Sequence, residues 1–197
     1  MTKRLTLLRH GKTGLSGRYV GSHDVNLSPE GVSQIKSLKN TFRNYPVEKL
    51  ISSPMIRCRQ SGEILFPNHV FAYESDLREI DFGRWEEMTF QEIVEKDPEL
   101  VDVWSKRSQD FCFPEGECIN HFVNRVQKAA ERIKQSPETN IMIVAHGGVI
   151  RNLICYFLNL DPSHYLLFNV HKGCYATLDL FAEGAVLTGF NLGTEGK

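Results

Sequence analysis

Short apolar runs alternate along the chain with stretches in which apolar residues recur at helical spacing. Residues 3–8 and 47–52 are apolar runs of strand length, residues 140–145 form the clearest buried strand, and residues 70–73 form a weaker candidate. Alternation of buried strands with amphipathic helices is typical of α/β proteins. The pattern therefore predicts an α/β fold.

Capping residues mark where two helices are predicted to begin. Ser28 and Pro29 combine a helix-capping side chain with a proline at the first helical position, and Pro46 ends that helix. Ser53 and Pro54 repeat the same combination after the second strand. Each pair therefore predicts a strand-to-helix connection.

The second half of the chain predicts two more helices and a hairpin. Residues 119–133 carry apolar side chains on one face of a long helix, and residues 147–158 form another helix after the strand 140–145. Residues 175–180 and 185–191 flank a turn at Gly184. This spacing predicts two antiparallel final strands.

Composition and charge exclude several classes of protein. With 197 residues, 41% of them hydrophobic, the chain can build one full core, so we expect a single domain over residues 1–197. The net charge of -1 gives no general attraction to nucleic acid or anionic membranes. No apolar run approaches the ~20 residues of a membrane span, and Arg9 and His10 interrupt the N-terminal run before a signal peptide develops. We expect a cytoplasmic protein without nucleic-acid or membrane partners.

The cysteines and histidines show no metal-binding or disulfide pattern. The five cysteines are odd in number and scattered, without a C-x-x-C motif: Cys58, Cys112, Cys118, Cys155 and Cys174. We therefore expect small buried residues in a reducing compartment and not a disulfide framework. The seven histidines show no metal-ligand spacing. We expect no metal and no cofactor.

Cationic and imidazole side chains follow three of the predicted strands. Arg9 and His10 follow the first strand, Arg57 follows the second, and His146 follows the strand 140–145. In open α/β sheets, ligands bind beyond the carboxyl ends of the strands. Arginine side chains and helix N-termini bind anions that have several oxygens. The sequence therefore predicts a phosphate site at this edge of the sheet.

Each of these residues, taken alone, has an ordinary structural explanation. His10 could be a hydrogen-bonded structural histidine, and Arg9 and Arg57 could be ion-pair partners. The Ser53 segment is a good helix start, and the glycines after His146 would suit any tight turn. Convergence of three separate junctions favours the binding site.

Five motifs occur in a fixed order between about residue 5 and residue 160. They are residues 8–13 (LRHGKT), 24–31 (DVNLSPEG), 52–61 (SSPMIRCRQS), 77–86 (LREIDFGRWE) and 143–149 (IVAHGGV). In this order they resemble the motifs of the histidine phosphatase (phosphoglycerate mutase-like) superfamily. The resemblance implies a three-layer α/β/α sandwich with a mostly parallel central sheet.

The resemblance also implies roles for the residues at the strand ends. His10 would be the nucleophile that forms a phosphohistidine, and the sequence leaves open which ring nitrogen attacks. Arg9, Arg57 and His146, with the backbone amide of Gly147, would hold the phosphoryl oxygens and bind the substrate. Such a cluster can take the place of a metal ion.

Glu79 would be the general acid and base of this chemistry. It would protonate the leaving alkoxide and then deprotonate the hydrolytic water. Only its place in the motif favours it over Asp76, Asp81 and Glu86. As an isolated glutamate it would be an ordinary surface carboxylate.

Two positions depart from the family's pattern. The family's asparagine after R-H-G-x-T is absent, and Thr13, Ser16 or Arg18 would take over its contact with phosphate. Glu87 stands where many members have glycine. Its carboxylate would lie near the entrance of the site and disfavour highly anionic substrates.

Within the superfamily, residues 79–87, 114–117 and 168–175 resemble the α-ribazole phosphatase group. We therefore expect a small-molecule phosphomonoester substrate, specifically α-ribazole phosphate of cobalamin nucleotide-loop assembly. The alternatives are a broad-specificity phosphatase, a phosphoglycerate mutase-like enzyme, and a non-catalytic module that binds phospho-ligands. A homodimer is left open.

Specificity would rest on a lid segment around residues 85–116. The aromatic residues Trp104, Phe111 and Phe113 lie in it. They would either stack on an aromatic leaving group or pack as core residues under the lid.

Overall fold

The computed structural model describes residues 2–106 and 110–193, and in this part of the chain six strands form one sheet. The strands are β1 (Lys3–Arg9), β2 (Lys49–Ser52), β3 (Phe71–Tyr73), β4 (Asn140–Ala145), β5 (Tyr175–Phe181) and β6 (Gly184–Leu192). Their order across the sheet is β3-β2-β4-β1-β5-β6. The first four in this order are parallel, whereas β5 is antiparallel to β1 and β6 is antiparallel to β5. The mostly parallel sheet and the C-terminal hairpin are confirmed.

Helices cover both faces of this sheet. In the described residues they are α1 (Pro29–Ser37), α2 (Lys39–Phe42), α3 (Ile56–Leu65), α4 (Phe90–Lys96), α5 (Pro98–Ser105), α6 (Ile119–Gln135) and α7 (Gly147–Phe157). On β4, Ile141 and Ile143 pack into the core formed with α6 and α7, while Met142 and Val144 pack into the core formed with α1 to α3. Because successive side chains of a strand point to opposite faces, a strand covered on both sides must be apolar throughout. The three-layer α/β/α sandwich is confirmed.

The first helix begins as predicted but is shorter. Ser28 is its N-cap and accepts a hydrogen bond from the amide of Gly31 at 3.1 Å, with Pro29 at the first position. At Leu38 the amide bonds to the carbonyl of Ile35, three residues back. This tighter turn separates α1 from α2, which ends at Phe42.

The second predicted helix start is wrong. The N-cap of α3 is Met55, whose side chain makes no capping hydrogen bond, and the amide of Ile56 donates instead to the carboxylate of Asp24 at 2.7 Å. Ser53 precedes the helix, and its Oγ lies 2.8 Å from Nε2 of His146. Ser53 therefore contacts a residue of the predicted site and does not cap α3.

Cys112 and Cys118 form a disulfide, so the expectation that no cysteines are paired is wrong for these two. They face each other in a short antiparallel hairpin, and backbone hydrogen bonds on either side hold its two strands together. In such a ladder, opposed residues at a non-hydrogen-bonded pair come close enough to bridge. Cys58 and Cys155 are buried thiols, as expected.

Among the described residues, none of the helices combines the length and the apolar character that a bilayer-spanning helix needs.

Candidate active site

Three neighbouring parallel strands bring the predicted site residues together. His10 follows β1, Arg57 lies in the first turn of α3 after β2, and His146 follows β4. The ring centroids of His10 and His146 are 5.2 Å apart. Nε of Arg57 lies 3.1 Å from Nδ1 of His146 and donates to it. The structure thus places all three side chains at one edge of the sheet.

His10 is buried, and its hydrogen bond fixes the tautomer of its ring. Nδ1 lies 2.8 Å from the carbonyl oxygen of Gly11. A carbonyl oxygen only accepts, so Nδ1 carries the proton and Nε2 carries the lone pair. Burial, followed by the charges of Arg57 and Arg9, holds the pKa of His10 well below its usual value of 6.5. The ring is therefore a neutral imidazole with its lone pair on Nε2.

Arg57 is only 1% exposed and connects the site to the loop after β1. Its Nη1 donates to the carbonyl of His23, and its Nη2 donates to the carbonyl of Gly21, both at 2.8 Å. Since Arg57 donates to Nδ1 of His146, the proton of that ring lies on Nε2, which donates to Ser53. Burial and the charge of Arg57 lower the pKa of His146, so this ring is neutral as well.

Arg9 is the second guanidinium of the site. Its Nη1 donates to the carbonyl of Val170 at 2.6 Å, and its buried Nε has no hydrogen-bond partner among the described residues. Burial lowers the pKa of Arg9 to about 10, with Glu79 opposing the shift and Arg151 and Arg57 adding to it. At neutral pH it is a buried cation with an N–H available to an anion.

Glu79 lies against the start of α7. Its Oε2 accepts a hydrogen bond from the amide of Gly148 at 3.0 Å. A methyl group on Gly148 would lie 2.5 Å from Oε1 of Glu79, and one on Gly147 would lie 3.0 Å from Cζ of Arg9. A side chain at either glycine would therefore displace Arg9 or Glu79, which approach this backbone closely.

Arg125 holds the backbone of the Glu79 segment. It donates to the carbonyls of Asp76, Arg78 and Glu79 at 2.8, 2.6 and 3.0 Å, and its Nε and Nη2 pair with the carboxylate of Glu117. This support was missed at the level of sequence. Arg125 lies on the polar side of an amphipathic helix, where a charged residue carries no signal of such a role.

The catalytic candidates other than His146, with a set of aromatic side chains, line one cavity of about 550 Å³. His146 is fully buried and is not part of this lining in the described chain. Its lining includes Arg9, His10, Arg57, Glu79 and Gly147. The aromatic lining residues are Tyr19, Phe82, Phe90, Trp104, Phe113, Phe122 and Tyr165. A cavity of this size, mostly apolar with a few convergent polar groups, suits a small-molecule ligand.

The residues proposed to replace the family's asparagine have different positions. Thr13 is buried and lines the cavity. Arg18 also lines it, with its guanidinium 2.9 Å from the carboxylate of Glu92. Ser16 is exposed and is not part of the lining in the described chain. The structure therefore does not support a phosphate contact by Ser16.

Glu87 lies outside the cavity lining that the described residues form, and its predicted effect on anionic substrates stays a prediction. Its carboxylate lies 3.0 Å from Nδ1 of His23. Its φ of 61° lies in the left-handed region, which favours glycine. The backbone conformation explains why glycine suits this position.

The lid aromatics divide between the two predicted roles. Phe111 is buried in the core with Trp85 and is not part of the cavity lining. Trp104 and Phe113 pack against the same core and also line the cavity.

Within the described residues, no group of three or more metal-ligating side chains occurs.

Known proteins resemble this chain in sequence and in fold. The sequence model of the histidine phosphatase superfamily (branch 1) matches residues 5–193. The chain is 28% identical over 196 residues to the adenosylcobalamin/alpha-ribazole phosphatase of Salmonella typhimurium, covering 95% of this chain and 96% of that protein. It is 27% identical over 194 residues to phosphoserine phosphatase 1 of Hydrogenobacter thermophilus, covering 96% and 92%.

A solved structure supports the same relationship. The crystal structure of the alpha-ribazole phosphatase from Shigella flexneri superposes with a TM-score of 0.89 and 25% identity, over 98% of this chain and 100% of that one. Because the family's model covers almost the whole chain, this protein belongs to the histidine phosphatase superfamily, branch 1.

Proposed function

We propose that this protein hydrolyses a phosphomonoester through a phosphohistidine on Nε2 of His10, and that its substrate is α-ribazole phosphate. The observation that carries the proposal is the state of His10. Its ring is buried, neutral and protonated on Nδ1, beside the guanidinium groups of Arg9 and Arg57. A neutral imidazole nitrogen is a competent nucleophile near pH 7 without a partner base.

In the first step, Nε2 of His10 attacks phosphorus, and the bond from phosphorus to the ester oxygen breaks. The carboxyl group of Glu79 gives its proton to the departing oxygen, so the leaving group departs as an alcohol. In the second step, the carboxylate of Glu79 takes a proton from water while the water oxygen attacks phosphorus. The phosphorus–nitrogen bond breaks, inorganic phosphate leaves, and His10 returns to its neutral form.

Charge stabilisation comes from groups around the phosphoryl oxygens. Arg9 and Arg57 supply two positive charges, and the amide of Gly147 at the start of α7 supplies a further donor. The Nε2 proton of His146 is donated to Ser53, so a contact of this ring with phosphate would require that hydrogen bond to break. Phosphoryl transfer depends mainly on positioning and electrostatic stabilisation. This cluster supplies the positive charge that metal ions supply in many other phosphoryl-transfer enzymes.

The lining of the cavity supports an aromatic leaving group. Trp104, Phe113 and Tyr19 give it aromatic walls next to the candidate catalytic residues. The α-ribazole group carries an aromatic base that such walls can bind by stacking. The relative from Salmonella typhimurium is named for this activity.

A second candidate substrate class is a phosphomonoester whose leaving group carries a carboxylate. Arg151 lines the cavity, and its buried Nε has no hydrogen-bond partner among the described residues. An arginine of this kind can bind a carboxylate. The relative from Hydrogenobacter thermophilus is a phosphoserine phosphatase, whose substrate has that chemistry.

A phosphate-release screen tests the proposal. It compares α-ribazole phosphate with phosphoserine, phosphoglycerates, sugar phosphates and nucleotides, with and without a bisphosphate primer. We expect kcat/KM to be highest for α-ribazole phosphate and phosphate release to need no primer. A preference for phosphoserine would favour the second candidate substrate class, and transfer between substrate positions that requires a primer would indicate a mutase.

The cytoplasmic location and the formation of a homodimer stay predictions.

A further inference from the structure

The segment that precedes β5 is fixed against the nucleophile. The amide of Gly173 donates to the carbonyls of Arg9 and His10 at 3.2 and 3.0 Å. On the other side, the amide of His171 donates to the side-chain carbonyl of Asn191 on β6 at 2.8 Å. Lys172 lies between these two anchored residues. Its backbone is therefore held in place beside the end of β1.

Lys172 lines the same cavity as His10 and is half-buried. Among the described residues, its ammonium has neither an ion-pair partner nor a hydrogen-bond acceptor. The charged groups that face it are all cations: Arg9 of β1, Lys12 in the loop after β1, and Arg57 of α3. An anion from outside the chain would stabilise an ammonium in these surroundings.

The charge of the cavity favours such an anion. Among the described residues that line it, the cations are Arg9, Arg18, Arg57, Arg151 and Lys172, whereas the single carboxylate is that of Glu79. Arg18 is paired with Glu92 outside this set. The other four cations outnumber the single carboxylate, and a phosphoryl dianion offsets most of this excess positive charge.

We propose that the ammonium of Lys172 is a third cationic ligand of the phosphoryl group, beside Arg9 and Arg57. This inference rests on the proposed function, because it assigns the anion to the phosphate of the substrate. Lysine binds phosphate as a compact charge with three donors, so Lys172 adds affinity for phosphate without needing a fixed two-pronged geometry.

Binding of the anion should be accompanied by uptake of a proton by the protein. Burial, followed by the charges of Arg9, Lys12 and Arg57, lowers the pKa of Lys172 below its usual 10.5. A bound phosphate dianion raises the pKa of this group again. At alkaline pH, between the two pKa values, binding of phosphate therefore takes up a proton at Lys172. Arg9, with a pKa of about 10, is the other cation that could take up this proton.

The experiment measures binding of inorganic phosphate by calorimetry in buffers with different ionisation enthalpies. It compares the wild type with Lys172→Met, Lys172→Arg and the control Lys12→Met. Lys12 is ion-paired with Glu30 and is not part of the cavity lining in the described chain. We expect Lys172→Met to weaken phosphate binding about 10- to 100-fold, the range of one charge-assisted hydrogen bond. Lys172→Arg and Lys12→Met should each stay within about threefold of the wild type.

The number of protons taken up on binding phosphate distinguishes a Lys172 that binds the anion from a Lys172 with a structural role only. The wild type and Lys12→Met should take up protons on binding phosphate at alkaline pH, and both Lys172 variants should take up almost none. Proton uptake that persists in Lys172→Arg would assign the proton to Arg9 and overturn the proposal. Phosphate affinity in Lys172→Met within threefold of the wild type would overturn it too. If Lys172→Met fails to fold, the affinity and proton count of Lys172→Arg still decide between these outcomes.

Failure of this proposal and failure of the proposed function give different results. A wild type that binds phosphate with the expected proton uptake but hydrolyses no phosphomonoester supports Lys172 as an anion ligand and overturns the hydrolytic function. A wild type that turns over substrate with the same kcat/KM as Lys172→Met overturns the role of Lys172 and leaves the function in place. A wild type that neither binds phosphate nor hydrolyses a phosphomonoester overturns both.

Discussion

Nδ1 of His10 donates its proton to the carbonyl oxygen of Gly11 at 2.8 Å. This hydrogen bond within two consecutive residues leaves the lone pair on Nε2. It also links the R-H-G motif to the proposed chemistry, because the carbonyl of the residue after the histidine sets which ring nitrogen would attack in a phosphohistidine mechanism.

The first prediction concerns the protonation of the buried histidines. Because burial and neighbouring guanidinium groups lower the pKa of His10 and His146, both rings should stay neutral as the pH falls through 6.5. His23 should behave in the opposite way, since its hydrogen bond to Glu87 raises its pKa above 6.5. Imidazole signals followed by nuclear magnetic resonance from about pH 8 to about pH 5 measure this. A midpoint at or above 6.5 for His10 would contradict the account of the nucleophile.

The second prediction concerns the pair of His23 and Glu87, which joins the loop after β1 to the lid segment. Since the pKa of His23 is raised in the folded protein, the pair stabilises the fold below the unfolded pKa of about 6.5, and this contribution disappears as the pH rises through the folded pKa. Glu87→Gln should therefore lower the free energy of unfolding by less than about 1 kcal/mol near pH 6 and leave it unchanged near pH 9. Urea unfolding at the two pH values tests this. An equal loss at both would show that the ion pair does not carry the effect.

The third prediction uses the close approach of Glu79 to α7. Gly148→Ala would place a methyl group 2.5 Å from Oε1 of Glu79 and so displace the carboxylate without removing it. We expect kcat to fall about 100-fold, because proton transfer by a positioned acid contributes about 10²- to 10⁴-fold. KM should change little, since Arg9 and Arg57 are untouched.

Gly184→Ala is the matched control for this variant, because a Cβ at Gly184 meets nothing within 4 Å. It should leave kcat and KM as in the wild type. A Gly148→Ala enzyme with wild-type kcat would mean that the position of Glu79 does not matter for the chemistry.

The fourth prediction concerns the disulfide between Cys112 and Cys118, which closes the hairpin that carries Glu117. With a sequence separation of 6, its removal should lower the free energy of unfolding by about 2 kcal/mol through the entropy of the unfolded chain. Unfolding of the wild type with and without reductant, and of a double serine variant, measures this. Mass spectrometry of the unreduced peptide should show the loss of two hydrogens. A transition that reductant leaves unchanged would argue against the bridge.

Local patterns in the sequence were sufficient to predict much of the fold. The continuous apolar run of β4 reflects a strand buried on both faces, and Ser28 with Pro29 marks a helix start, because both effects arise within a few residues. The approach of His10, Arg57 and His146 followed from the rule that parallel strands end at one edge.

Contacts between distant segments could not be predicted in this way. Asp24 completes the start of α3 in place of Ser53, and Arg125 holds the backbone of Glu79 from α6. Each contact depends on the packed positions of two elements, and each residue alone has a common polar surface pattern. Lys172 was missed for the same reason, because its place beside His10 depends on backbone contacts made across the sheet.

The measurement that tests the central claim most directly is trapping of the phosphorylated enzyme. Wild-type protein is mixed with a labelled aryl phosphate, quenched within one turnover, and digested. We predict an acid-labile phosphoryl group on the peptide that contains His10, no label and no turnover in His10→Ala, and no effect of EDTA on the wild type. Hydrolysis that survives in His10→Ala and is abolished by EDTA would contradict a phosphohistidine mechanism.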